Sequence, residues 1–271
     1  MDIIWIILAV IAGLFLLYFL IVMGRSGNPG LKNLRGWSYA HRGLHDESHP
    51  ENSMAAFSRA LEHGYGIELD IHLLKDGNLA VIHDHPLVRT TGAEGKIEDL
   101  TTEDLENYRL EGTTERIPTF RQVLELFHGK APLIVELKAA NGNHGALVDA
   151  AMAQLKDYPG AYCSEAFDPR CIRYLKKHYP KVVRGQLTEN FVKNKGNLPW
   201  ILKFGMTHQL VNFLIRPDFV AYKFADRKTL GNFLVRKLWR VQGVTWTLKN
   251  PDDHKQAVRE GWILICEDYM T

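Results

Sequence analysis

Gly64-Tyr-Gly-Ile-Glu-Leu-Asp-Ile-His-Leu-Leu-Lys-Asp-Gly-Asn-Leu-Ala-Val-Ile-His-Asp84 sets Glu68, Asp70 and His72 between Ile67, Leu69 and Ile71. A period of two belongs to a strand and puts the three polar side chains on one face. Asp76-Gly77, lying between two apolar runs, signals a hairpin. A two-residue loop there pairs Lys75 with Asn78, so that Leu73 faces Ala80, His72 faces Val81 and Asp70 faces His83. Residues directly opposed in an antiparallel ladder point to one side of the sheet. This register gathers Glu68, Asp70 and His83 on one surface, and a slip of one residue would scatter them. The stretch by itself leaves two readings open: a solvated polar face on an edge hairpin, or a site of two carboxylates and an imidazole.

Working outward, the chain alternates strands with helices. Strands are expected to begin at Trp37, Ile67, Leu133, Ala161, Val182, Phe219, Gly243 and Trp262. The run Leu79–His83 is excluded, because so short a connection cannot make a parallel crossover. Helices are expected from Ser53 to Leu61, Thr119 to Phe127, Gly145 to Leu155, Asp168 to His178, Asp226 to Leu238 and Asp252 to Glu260. Between Glu189 and Phe213 the pattern is helical but mixed. Eight strands joined by helices give an α/β fold, a (β/α)8 TIM-type barrel with a hairpin and small insertion after the second strand. About 235 residues beyond Gly36 suffice for such a barrel.

Before the barrel, Ile3 to Met23 carries no charge and is rich in Ile, Leu and Phe. It is long enough to cross a bilayer core of about 30 Å, and it lacks the basic start and small-residue cleavage site of a secretory signal. The expected organisation is a transmembrane anchor over 1–24, a polar, flexible linker over 25–36 and a barrel over 37–271. Asp2 precedes the apolar run, whereas Arg25, Lys32 and Arg35 follow it. The positive-inside rule then places the barrel in the cytoplasm of a single-pass membrane protein. Cys163, Cys171 and Cys266 have no metal-type spacing and read as buried thiols in a reducing compartment. With 33 Lys and Arg against 31 Asp and Glu, and no long basic run, nucleic acid is not an expected partner.

His41, Arg42, Glu68, Asp70, Glu136 and Lys138 all fall at the carboxyl ends of expected strands, the face where such barrels carry their chemistry. Glu68, Asp70 and Glu136 would repel one another unless a hard divalent cation joined them, which makes Mg²⁺ or Ca²⁺ the expected cofactor. Zn²⁺ would more often recruit His or Cys. Arg42 and Lys138 on the same rim suit a phosphate. His41 and His83 titrate near neutrality and suit proton transfer to and from oxygen. Together these groups point to hydrolysis of a phosphodiester.

The same residues carry a resemblance. His41-Arg42-Gly43, Pro50-Glu51-Asn52-Ser53, Ala56-Phe57, Glu68-Leu-Asp70, Lys75-Asp76-Gly77, His83-Asp84 and Glu136-Leu-Lys138 resemble, in order and spacing, the glycerophosphodiester phosphodiesterase family. Arg89-Thr-Thr-Gly92, Ile117-Pro-Thr119 and Trp246-Thr247 extend it, so that it covers Ser38 to Asp268. It implies a barrel of the phosphatidylinositol-phospholipase type that releases glycerol 3-phosphate and an alcohol. It further implies metal ligation by Glu68, Asp70 and Glu136, acid/base work by His41 and His83, and phosphate binding by Arg42 and Lys138. Two positions depart from the family pattern. Lys249 stands where Asn is frequent, and Glu267-Asp268 where Thr-Asp is, both on the substrate rim.

Other residues have competing readings. Trp246 could be core, or it could line the glycerol or alcohol pocket as a substrate contact. His72 reads as a hairpin-surface residue more readily than as a second substrate contact, and His45, His49 and His63 read as solvated. Asp84 is expected to orient the turn after His83; Glu51 and Asn52 either cap the next helix or support the site. Phe191 to Phe213, with Lys193, Lys195 and Lys203, reads as a helix packed on the barrel or as a membrane-facing patch, with Arg236, Lys237 and Arg240 as further basic contacts. The partners expected are a glycerophosphodiester or lysophospholipid substrate and the bilayer. A lysophospholipase D or sphingomyelinase-D-like enzyme is the nearest alternative, and a catalytically silent membrane scaffold a more distant one.

Overall fold

The computed structural model describes residues 3–193 and 198–267; Lys195 and Asp268 lie outside them. Nine strands form: β1 (Ser38–His41), β2 (Gly66–Leu73), β3 (Leu79–Val81), β4 (Leu133–Leu137), β5 (Tyr162–Ala166), β6 (Arg184–Thr188), β7 (Phe219–Lys223), β8 (Gln242–Leu248) and β9 (Trp262–Cys266). All but β3 run parallel. β1 pairs with both β2 and β9, so the ring closes into an eight-stranded barrel. The eight expected strands are the eight barrel strands, and β3 stands outside the ring, antiparallel on β2.

The helices are α1 (Ile3–Ile21), α2 (Met54–Glu62), α3 (Val88–Thr91), α4 (Phe120–Phe127), α5 (His144–Leu155), α6 (Pro169–His178), α7 (Trp200–Thr207), α8 (Asn212–Ile215), α9 (Leu230–Phe233) and α10 (Pro251–Arg259). Several of them start at a side-chain cap. Ser53 accepts from Ala56 N and Asp168 from Arg170 N, and Thr119 with Gln122 completes a capping box. The outer layer packs amphipathic faces such as Phe120, Val123, Leu124 and Phe127 of α4 onto the strands. The barrel interior holds Tyr39, Ile134, Leu187, Phe219, Val244 and Ile265. Gly185 is needed there, because a Cβ on it would lie 2.0 Å from the Phe219 ring.

Residues 25–36 do not behave as the polar, flexible linker expected. Leu31 and Leu34 are buried in the interior cluster, and Tyr39 Oη donates to Leu34 O at 2.8 Å. Arg25 donates to Pro180 O at 2.9 Å and forms a two-pronged pair with Asp218. The segment plugs the closed, amino-terminal end of the barrel. The three cysteines are buried and form no disulfide.

The hairpin register also differs from expectation. Leu73 lies opposite Leu79 and His72 opposite Ala80, one residue away from the anticipated pairing. The loop has three residues, Lys75-Asp76-Gly77, because Leu74 N donates to Asn78 O at 2.8 Å and Gly77 takes a φ of +85°. A glycine in the left-handed region closes a three-residue loop with a bulge and shifts the ladder by one. Asp70 therefore faces Ile82, whose N donates to Asp70 O at 3.1 Å, and not His83.

His72 is likewise not on a surface. The insertion between Leu87 and Ile117 covers that face of the hairpin with a satellite core of Leu74, Ala80, Ile82, Leu87, Ile97 and Leu105, and His72 is fully buried beneath it.

Candidate active site

The mouth of the barrel is built by side chains at the carboxyl ends of adjacent strands. Backbone pairing sets His41 beside Glu68, Asp70 beside Glu136, and Glu136 beside Glu165. Glu68, Asp70 and Glu136 are all buried and offer ligand oxygens within 4.8 Å of one another. Burial, then Asp70 and Glu136, push the Glu68 carboxyl well above its usual range. Burial likewise raises Glu136; Lys138 opposes it and Asp70 adds to it, leaving the carboxyl at about 7. At Asp70 burial is outweighed by Lys138, His83 and Arg42, which hold its carboxyl well below the ordinary range. Three buried oxygen donors in mutual repulsion suit a hard divalent cation.

Glu165 went unrecognised in the sequence. It is 1 % exposed next to Glu136, and burial followed by Glu136 and Asp70 raises it well above the usual carboxylate range. Its signal in the sequence is its place near the carboxyl end of the strand Tyr162–Ala166, level with Glu136.

Two cations enter the cluster. Lys138 Nζ lies 2.7 Å from Glu136 Oε1 and 3.0 Å from Asp70 Oδ1. Arg42 Nη1 donates to both Glu51 oxygens at 3.0 Å, its Nε stands 3.5 Å from Asp70 Oδ2, and its backbone N donates to Glu68 Oε2 at 3.2 Å. Ser53 caps the next helix, and Glu51 and Asn52 instead bond to residues of this cluster. Glu51 ties Arg42 to Arg89, and Asn52 Nδ2 donates to Asp70 Oδ2 at 2.9 Å.

Each histidine is backed by a carboxylate. His41 Nδ1 is 2.6 Å from Glu267 Oε2, and His83 Nδ1 is 2.6 Å from Asp84 Oδ1. In both rings the carboxylate is met by Nδ1, not by Nε2. Burial lowers both imidazoles. In His83, Lys138 and Arg42 add to it against Asp70 and Asp84, bringing the ring to about 4. In His41, Arg42 adds to it and Glu267 opposes it. Glu267 thus stands beside the site as an orienting carboxylate, which its reading as a rim departure had not foreseen. Asp84 orients the His83 ring as well as following it in the chain, and Arg89 bonds Asp84 and Glu51 together.

His83 reaches the site although the ladder register differs. β3 ends at Val81, and the chain is then free to turn. His72 Nε2 lies 3.2 Å from His83 O, while its Nδ1 is 2.7 Å from Glu98 Oε1, which is also 2.6 Å from His85 Nδ1. The buried His72 thus fixes the backbone that carries His83. His45, expected to be solvated, brings a ring nitrogen within 4.8 Å of the ligand atoms of His41 and Glu267. His49 pairs with Asp46 at 2.8 Å and His63 is exposed.

A cleft of about 330 Å³ opens beside these groups, lined by His83, Glu136, Lys138 and Phe167 among others. Trp246 meets Phe167 edge-on at 5.7 Å and donates from Nε1 to Ala221 O at 3.2 Å. Its ring is half-buried.

Comparison with known proteins agrees with the residue pattern. The model of the glycerophosphoryl diester phosphodiesterase family matches residues 41–271. A glycerophosphodiester phosphodiesterase of Caldanaerobacter subterraneus subsp. tengcongensis is 36% identical over 158 residues, covering 55% of this chain and 65% of that one. A glycerophosphodiester phosphodiesterase of Bacillus altitudinis is 41% identical over 110 residues, covering 38% of this chain and 44% of that one. The matched stretches span less than two thirds of these relatives' own length. Among solved structures, an Oleispira antarctica phosphodiesterase in complex with the product sn-glycerol-3-phosphate superposes with a TM-score of 0.73. At 20% identity it covers 90% of this chain and 96% of that one, a likeness of fold.

Proposed function

The chain belongs to the glycerophosphoryl diester phosphodiesterase family, and from that membership we propose that it hydrolyses glycerophosphodiesters to glycerol 3-phosphate and an alcohol. The observation that carries this reading is the convergence, on one barrel mouth, of three buried carboxylates, two carboxylate-backed histidines and the cations Arg42 and Lys138. A catalytically silent scaffold has no use for buried carboxylates held in mutual repulsion.

In this reading Glu68, Asp70 and Glu136 hold a divalent cation, Mg²⁺ or Ca²⁺. Bound there, the ion would neutralise phosphate charge and act as a Lewis acid. Arg42 and Lys138 hold the phosphate oxygens. One of His41 and His83 takes the proton from the attacking hydroxyl, which is water or the neighbouring glycerol hydroxyl; in the second case a cyclic phosphate forms and a water then opens it to glycerol 3-phosphate. The other protonates the alcohol oxygen as its bond to phosphorus breaks. Trp246 and Phe167 form the apolar wall against which the organic arm rests.

The test is release of glycerol 3-phosphate from glycerophosphocholine with Mg²⁺, with Ca²⁺ and with chelator. Turnover that chelator abolishes is expected; turnover indifferent to chelator would remove the cation from the scheme, and no turnover would remove the substrate class.

The raised carboxyls give a second expectation. A cation entering the site must displace the proton that Glu136 holds up to about 7, and metal binding releases ligand protons. Affinity should therefore weaken about tenfold per pH unit below 7, and more steeply where Glu68 also carries a proton. Calorimetric titration with Mg²⁺ at pH 6 and pH 8 reads this directly. Equal affinity at both would mean that these carboxylates are not the ligands.

We also propose that α1 is an uncleaved single-pass anchor with the barrel on the cytoplasmic side. It is a 19-residue apolar helix with no buried residue. The residue that follows it, Val22, is fully buried in the barrel's packing, which favours an anchor that stays attached. The basic residues Arg25, Lys32 and Arg35 after it favour the inside orientation.

A further inference from the structure

α1 ends inside the barrel's packing. Asn212 Nδ2 donates to Val22 O at 3.0 Å, Trp239 Nε1 to Phe19 O at 2.8 Å and Arg216 Nη1 to Met23 O at 3.0 Å. The Phe19 and Trp239 rings stack at 4.5 Å. A helix end leaves its last carbonyls unpaired, and here barrel side chains take several of them, so the helix leaves the barrel in a fixed direction.

That direction can be read from two levels. Arg25 N donates to Pro217 O, ahead of β7 at the closed end. Further back along the helix, Tyr18 Oη donates to His208 O. His208 follows Thr207, whose carbonyl accepts from Tyr222 Oη near the mouth end of β7. α1 thus climbs from the closed end toward the mouth, and Ile3–Leu17 continue on the mouth side.

Among the described residues, the part of α1 clear of the barrel is shorter than a bilayer core. Ile3–Leu17 are about 15 residues and reach about 22 Å, against a hydrocarbon core of about 30 Å. The barrel surface where the helix departs is apolar. Of thirteen large apolar side chains exposed outside α1 among the described residues, eleven lie between Val192 and Leu238. Trp200, Ile201 and Phe204 are exposed on α7, which buries Met206 and Thr207. Leu230 and Phe233 stand on α9, and Tyr18 sits between the end of α7 and Gly231. Exposed Lys228, Lys237 and Arg240 lie next to this apolar surface, placed for anionic headgroups. The surface begins at the cleft itself, where Phe191 meets Phe167 edge-on at 6.0 Å.

We propose that this collar is a bilayer-docking surface. It sinks into the headgroup and acyl boundary by the missing distance of about 8 Å, within the depth that an apolar face reaches at an interface. The barrel mouth is thereby turned onto the membrane, and the substrates it receives are phosphodiesters with one arm still seated in the bilayer. The proposal rests on the anchor and phosphodiesterase readings above.

The test uses the full chain in phosphatidylcholine–phosphatidylglycerol vesicles. A polarity-sensitive dye is placed on one introduced cysteine at a time, as Leu8→Cys, Ile201→Cys, Phe233→Cys or Glu125→Cys, the three native cysteines being buried. Quenching by spin-labelled lipid is expected at positions 8, 201 and 233 and not at 125. Quenching at 8 with none at 201 and 233 overturns the docking surface while leaving the anchor; no quenching at 8 overturns both. In a second arm, the double variant Ile201→Ser/Phe233→Ser is expected to turn over vesicle-borne lysophosphatidylcholine about tenfold more slowly, with glycerophosphocholine turnover unchanged. Equal effects on both substrates would overturn delivery from the bilayer. Glycerophosphocholine turnover by the unaltered chain reports separately on the phosphodiesterase reading.

Discussion

His41→Ala is expected to lower kcat for glycerophosphocholine by about 10²- to 10⁴-fold, the usual weight of one positioned acid or base, with a much smaller change in KM. The ring is set by a 2.6 Å contact from Nδ1 to Glu267, and its Nε2 stands 4.0 Å from Glu68 Oε2, at the edge of the carboxylate cluster. Removing it leaves the three carboxylates, Arg42 and Lys138 in place, so substrate should still bind. Glu267→Gln separates positioning from chemistry. It keeps the shape of the orienting group but removes the charge that favours a protonated ring, so it should lower kcat less than His41→Ala and move the pH profile. The sign follows from the cause. Burial lowers the His41 pKa and Glu267 opposes that fall, so without the carboxylate the ring loses its proton at lower pH still. If His41 is the proton donor, the alkaline limb moves toward acid; if it is the base, the acid limb does. Initial rates from pH 4 to pH 9 distinguish the two roles that the sequence left open. A loss below about tenfold in His41→Ala would remove this histidine from the proton-transfer steps.

Why some of this was visible in the chain and some was not follows from how each feature is encoded. The barrel strands were legible because β2, β4, β5 and their neighbours are short apolar runs separated by helical patterns with clear caps, such as Thr119 with Gln122. The carboxylate trio was legible because period two places Glu68 and Asp70 on one face, and strand pairing then sets Asp70 beside Glu136. The hairpin register was not, since Asp76-Gly77 is compatible with both a two-residue and a three-residue loop, and the outcome depends on Gly77 alone entering the left-handed region. His83 reached the site despite that error because the ladder ends before it.

His72 was misjudged for a different reason. Its burial comes from an insertion folded over the hairpin, a tertiary fact that alternation cannot report. Glu267 is separated from His41 by nearly the whole chain, yet barrel closure pairs β9 with β1, and the residue that follows β9 must lie near the end of β1. That rule of closure was available from the strand count. It would have turned a departure from the family pattern into a positional expectation.

Glu68→Gln is the second change of large effect, and it should separate stability from function. Glu68 is 3 % exposed, close to Asp70, Glu136 and Glu165, and burial with those neighbours drives its carboxyl strongly upward. Glutamine keeps a carbonyl oxygen to accept from Arg42 N, where Glu68 Oε2 now accepts at 3.2 Å, and it removes one member of a repelling group. The metal-free variant should therefore unfold at a higher temperature than the unaltered protein, as is common when a strained functional site is relieved. The same substitution takes a negative oxygen from the cation site. Loss of an outer-shell partner costs about 10- to 100-fold in metal affinity, and loss of a direct ligand should exceed that range. Calorimetry with Mg²⁺ or Ca²⁺ at pH 8 measures the affinity, and scanning calorimetry in chelator measures the unfolding temperature. A stabilised variant with unchanged cation affinity would show that Glu68 is a buried structural carboxyl and not a ligand. A destabilised variant with lost affinity would show instead that the attraction of the Glu68 charge to Arg42 outweighs the repulsion. The paired outcome expected, tighter folding with weaker cation binding, is the signature of a carboxylate retained for the ion it holds.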